Sequence, residues 1–140
     1  MGPNQLRDAF LVFAGLKRFR KFTLQLRRDS PQESRFEHLP GLDELRYWQD
    51  ILWRSFREVH PDAPTSIEAI RDALLWCDVH ESPLVLHEAV RPAGGHSGLP
   101  GFTEAQETSF PFGYGYWRLS CTQCVSACRE WIERALRPKS

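Results

Sequence analysis

The sequence predicts an α+β fold. A mainly helical N-terminal half packs on a C-terminal half made of a tight turn, two strands and a closing helix. Three observations predict it. Apolar residues recur at helical spacing up to residue 76. Beyond it, short apolar runs are bounded by glycine and proline. The four cysteines all fall after residue 76, most of them where the last helix should begin. A chain of 140 residues fits a single domain, 1–140, and can bury about two-thirds of its unfolded surface. Within it, 1–40 reads as a basic helical segment with a connector, and 65–137 as a separate module. The composition, 41% hydrophobic and 26% charged, excludes a wholly disordered chain.

The first helix is expected over 5–22, with Leu6, Phe10, Phe13 and Leu16 along one face. Phe22, Leu24 and Leu26 also alternate with polar residues, so a strand over 22–26 competes with the helix end. Residues 29–41 turn polar around Pro31 and Pro40 and form the connector. A second helix is expected over 42–59, with Asp43 and Glu44 at its positive end and Leu45, Trp48, Leu52, Phe56 and Val59 as its buried stripe. Trp53 falls off that stripe, which leaves open whether it packs inside or marks an exposed contact surface. After the break at 60–64, Thr65 and Glu68 have the spacing of a capping box. They open a third helix over 66–76 with Ile67, Ile70 and Leu74 inward. A strand follows over 83–90, then a loop over 91–115 that holds six of the nine glycines. A second strand over 114–120 and a last helix over 125–136 complete the chain.

Charge is balanced overall, eighteen basic residues against eighteen acidic, but not along the chain. Residues 1–40 carry a net +4 and the remainder −4. The excess concentrates at Lys17, Arg18, Arg20, Lys21, Arg27 and Arg28, interleaved with Phe19, Phe22, Leu24 and Leu26. Lys17, Arg18, Arg20 and Lys21 are therefore the candidate partner-binding residues. The charge follows the apolar stretch 9–16, the reverse of an export signal, so the expected compartment is the reducing cytoplasm. No apolar run approaches the roughly 18–20 residues of a membrane span.

Cys77-Asp78-Val79-His80 and Cys121-Thr122-Gln123-Cys124 form a C-x2-H and a C-x2-C pair about forty residues apart. A two-residue gap lets both side chains of a tight turn face one ion, and two such turns complete a tetrahedron. Thiolate with imidazole is a donor set that zinc favours. The predicted ligands of one structural zinc ion are therefore Cys77, His80, Cys121 and Cys124. The second pair sits at the start of the last helix, whose free N–H groups and dipole stabilise thiolates. Three thiolates, one neutral imidazole and the ion sum to about −1. Cys128 lies one turn further on, with Val125, Ile132 and Ala135, and is assigned to the core. The competing readings are four buried core cysteines, or a redox pair at Cys121 and Cys124.

The order of ligand turn, two strands and ligand-bearing helix resembles a treble-clef zinc finger. Residues 67–131 are also similar to a group of small uncharacterised bacterial proteins. They share "C-x-x-H-x-x-P-L", here Cys77 to Leu84, an "F-P" step, here Phe110-Pro111, and a terminal C-x-x-C helix with Trp131. Cys128 is not part of their pattern. This chain lacks the proline they tend to carry after Cys121, and it has a glycine-rich insertion over 94–101. The resemblance implies zinc and implies no activity.

Catalytic readings find little support. A treble-clef nuclease needs a His at the hairpin, which His87 or His96 could supply, and a His or Asn on the following helix, where 125–136 has neither. A zinc deaminase needs H-x-E and P-C-x-x-C, and Ser120 stands where the proline should be. His96, in its glycine-rich loop, is the residue most open to a ligand-facing role, while His38 and His60 flank prolines as turn residues. The reading is a non-catalytic interaction protein whose partner is another protein. The alternative is a nucleic-acid-binding module using the basic segment 17–28. A thiol redox enzyme is the remote third.

Overall fold

The computed structural model describes residues 1–26, 45–86, 98–113 and 119–137. It is mixed but mostly helical, and it falls into two compact units, Met1–Leu75 and Trp76–Ser140.

In the first unit, helix α1 spans Pro3–Ala14 and helix α2 spans Leu16–Leu24. The single helix expected over 5–22 is broken at Gly15, whose φ of +82° is a conformation that side-chain-bearing residues avoid. The competing strand over 22–26 does not form. Phe19, Phe22, Thr23 and Leu26 are all buried, at the three- and four-residue spacing of a helix face. Phe19 and Phe22 pack their rings on Phe10, and Thr23 joins them on the buried side, a set that helical spacing brings to one face and strand alternation would split.

Helix α3 covers Tyr47–Val59; the expected start at 42–44 lies outside the described residues. Its buried face is Gln49, Trp53 and Phe56, rotated from the expected stripe. Leu45, Trp48 and Leu52 are only partly buried against the core, and Val59 is exposed. Trp53 is thus a core residue and not a surface one. Its ring lies 5.1 Å from both Phe10 and Phe56, and its indole N–H donates to the Pro64 carbonyl at 2.8 Å. The polar Gln49 belongs on that face because both ends of its amide are used. It accepts from the Arg46 N–H at 2.9 Å and donates to the Phe22 carbonyl at 2.9 Å. A buried amide satisfied in this way escapes the desolvation penalty.

Helix α4, Ile67–Leu74, is capped by Ser66 and not by Thr65. The Ser66 hydroxyl accepts from the Ala69 N–H at 3.1 Å. At its other end, side chains from α1 and α2 take up the orphan carbonyls. Arg7 Nε donates to Ala73 O at 2.8 Å, and Thr23 Oγ1 donates to Leu74 O at 2.9 Å.

The second unit starts with strands β1, Trp76–Cys77, and β2, Ser82–Pro83, an antiparallel hairpin pairing Trp76 with Pro83 and Cys77 with Ser82. Strand β3, Val85–Leu86, pairs antiparallel with β4, Leu119–Ser120, matching Val85 to Ser120. Strands β3 and β4 are the described parts of the two expected strands, with 87–90 and 114–118 outside the described residues; the β1–β2 hairpin is not among the expected elements, since Trp76 falls at the end of the helix predicted over 66–76. The expected loop over 91–115 contains a helix, α5, Phe102–Ser109. Glycine and proline punctuate its flanks, Pro100-Gly101 before and Pro111 after, and leave nine residues between them, of which eight form the helix. Helix α6, Thr122–Leu136, begins three residues earlier than expected, with Cys121 as its N-cap. Phe102, Phe110 and Trp131 meet with ring centroids 5.5–6.3 Å apart and join α5 to α6. Among the described residues, no helix is long and apolar enough to cross a membrane.

Candidate metal centre

The β1–β2 hairpin turns through residues 78–81, which sets Cys77 and His80 on one side of a single tight loop. The reversal requires a left-handed residue directly after His80. Glu81 supplies it, with φ of +51°. On the other side, Cys121 caps α6 and Cys124 lies in its first turn. The structure brings all four predicted ligands together. The Cys77, Cys121 and Cys124 sulfurs and a His80 ring nitrogen all lie within 4.8 Å of one another, so they can hold one metal ion. His80 Nδ1 is 3.5 Å from Cys77 Sγ, 3.5 Å from Cys121 Sγ and 3.3 Å from Cys124 Sγ. Cys77 Sγ is 3.5 Å from Cys124 Sγ. The three cysteines are fully buried and His80 is half-buried.

Each sulfur faces donors that favour a negative charge. The Cys77 and Cys124 sulfurs share a hydrogen bond, and Cys77 also receives the Val79 and His80 N–H groups and a hydrogen bond from the His80 ring. Despite the opposing effect of burial, these hold the Cys77 thiol down to about 5. The same contact, with burial, pushes Cys124 well above the usual thiol range, while the Phe112 N–H works against that rise. The Cys124 N–H, at the positive end of α6, donates to Cys121 Sγ at 3.5 Å. Ser82 Oγ lies 3.4 Å from the same sulfur and donates to it once Cys121 is a thiolate. Sequence reasoning missed Ser82, although the strand register that opposes it to Cys77 follows from a hairpin closing over 78–81.

The loop 110–113 packs onto this end of α6. Phe112 O accepts the Cys121 N–H at 3.2 Å. A Cβ on Gly113 would run into the Cys124 backbone carbonyl, so only glycine fits there. Cys128 is buried outside the four-residue group, and burial alone pushes its thiol up. Ala135, expected on the same buried face, is exposed.

The basic candidates lie in the Met1–Leu75 unit. Lys17, Arg18 and Lys21 are exposed on α2 and Arg20 is half-buried. His38, His87 and His96 lie outside the described residues, and His60 ends α3 with its ring 4.8 Å from Phe56.

Comparison with known proteins assigns no family: no family model, no curated protein and no solved structure matches the chain.

Proposed function

We propose that the four-residue centre holds one structural zinc ion and that the chain is a non-catalytic interaction module built around it. The observation that carries this reading is the spacing of the ligand atoms. Zinc bonds of about 2.3 Å to sulfur and 2.0–2.1 Å to nitrogen, at tetrahedral angles, separate sulfurs by about 3.8 Å and sulfur from nitrogen by about 3.6 Å. The 3.5 Å sulfur pair and the 3.3–3.5 Å contacts from His80 lie close to those edges. Residues Cys77, His80, Cys121 and Cys124 would supply all four positions, which leaves none for a water or substrate, the mark of a structural site. The N–H and hydroxyl donors around the sulfurs support the anionic ligand set that such a centre requires.

The order of ligand hairpin, second strand pair and ligand-bearing helix supports a treble-clef-like arrangement, consistent with the likeness of residues 67–131 to small bacterial zinc proteins. In the reducing cytoplasm, the compartment of this reading, the thiols stay available to the metal. Elemental analysis of the purified chain tests the reading. One zinc per chain is expected, lost in Cys121→Ser and kept in Cys128→Ser. Full metal in both variants, or loss in Cys128→Ser alone, would overturn the ligand assignment. Another metal at unit stoichiometry would overturn zinc.

A further inference from the structure

In the Met1–Leu75 unit, α2 carries Lys17 to Lys21 of the basic segment. Its phenylalanines enter the core and its cations stay outside. Phe19, Phe22 and Leu26 are buried, and the opposite side of α2 is formed by Lys17 and Lys21, flanked by Arg18 and Arg20. No acidic residue falls between Asp8 and Leu26. The first turn of α3 lies against the same end of α2. Trp48 Nε1 donates to Gln25 Oε1 at 2.7 Å, and Lys21 Nζ sits 4.9 Å above the Trp48 ring. The start of α3 adds Arg46, its exposed N-cap, and Tyr47, which is 83% exposed although it is large and aromatic.

We propose that this face, Lys17, Arg18 and Lys21 of α2 with Tyr47 of α3 and its N-cap Arg46, docks single-stranded nucleic acid. A row of cations beside a solvent-facing ring suits a strand whose phosphates and bases are both accessible: the cations follow the backbone and a base stacks on Tyr47. Lys21, held over Trp48, is positioned rather than free to swing. An anionic membrane is the poorer occupant. A surface-lying helix must insert its apolar side, and that side of α2 is already spent in the core. The surface is independent of the metal centre, so either proposal can fail without the other.

The test uses the full-length, metal-loaded chain with a fluorescein-labelled fifteen-nucleotide oligothymidine, titrated by anisotropy. Three to four phosphate contacts predict that affinity falls roughly 20- to 50-fold between 50 and 200 mM salt. Lys17→Ala/Lys21→Ala should weaken binding at low salt and make the salt dependence shallower. Tyr47→Ala should weaken binding about tenfold and leave the salt dependence unchanged, which separates stacking from charge. Arg134→Ala, on α6, should bind as the unmodified chain does, and circular dichroism should show all three variants folded. Absence of binding at 50 mM salt would overturn the proposal. So would equal losses in Arg134→Ala, or polyglutamate or anionic vesicles (phosphatidylserine with phosphatidylcholine) bound as tightly as the oligonucleotide. A Tyr47→Ala variant that binds unchanged would remove the stacking strand and overturn it likewise.

Discussion

Gly113 and Ser82 flank the four-residue centre, and neither belongs to a ligand motif. At Gly113→Ala the added methyl meets a backbone carbonyl, which cannot rotate away as a side chain could. The loop must shift off α6, at a cost of about 1–3 kcal/mol, the usual range for forced overpacking. Denaturant unfolding of the metal-loaded chain should show that loss, with faster metal release to a chelator. Ser82→Ala removes one donor from Cys121 and fills no new space, so the fold should persist while metal affinity falls about tenfold or more. Cys128 gives a pH signature. Its thiol is pushed up by burial, so the neutral form it contributes is fully present below the unfolded thiol value and is lost as pH rises through the higher folded value. Stability should therefore decline on the alkaline side, above the ordinary thiol range. Cys128→Ala should flatten that decline in a denaturation series across pH.

The elements differ in how much of them the sequence shows, and the reason is where their stabilising contacts come from. The ligand turns were legible because two-residue spacing is local chemistry. The helical stretches of the first unit, read as three helices, and α6 were legible because burial repeats along them. The misplaced features depend on distant partners. The break in the first helix rests on one glycine, and the helix over Phe22 rests on rings arriving from α1 and α3. The buried face of α3 was misjudged because a polar Gln49 lies in it. Only the Phe22 carbonyl and the Arg46 N–H make that residue tolerable inside. Helix α5 was hidden by the punctuation around it. Its hold on the structure is mainly Phe102, buried against Phe110 and Trp131. Phe102→Ala should cost about 3–5 kcal/mol. Hydrogen exchange should then show protection lost over 102–109 with the Met1–Leu75 unit unchanged.

On the scale of the whole molecule, the two units rest on different sources of stability. Met1–Leu75 has a continuous aromatic and aliphatic core from Leu6 to Leu74, closed by side-chain hydrogen bonds between its own helices. Among the described residues, the strands of Trp76–Ser140 are two residues each, and three of its most buried side chains are cysteines assigned to the metal. Two-stranded pairs of that length do not stand alone in water. A structural zinc ion can contribute roughly 10–16 kcal/mol at neutral pH, as much as the entire stability of an ordinary domain. Removal of the ion would also leave buried thiols whose charges have no cation to balance them. Chelation should therefore melt one unit and spare the other. After treatment with a tight zinc chelator, amide protection should disappear over the described part of 76–137 and persist over α1 to α4. Restoring zinc should restore it. Protection that survives chelation in both units would show that the centre is not structural, and its loss in both together would show that the first unit does not stand on its own core.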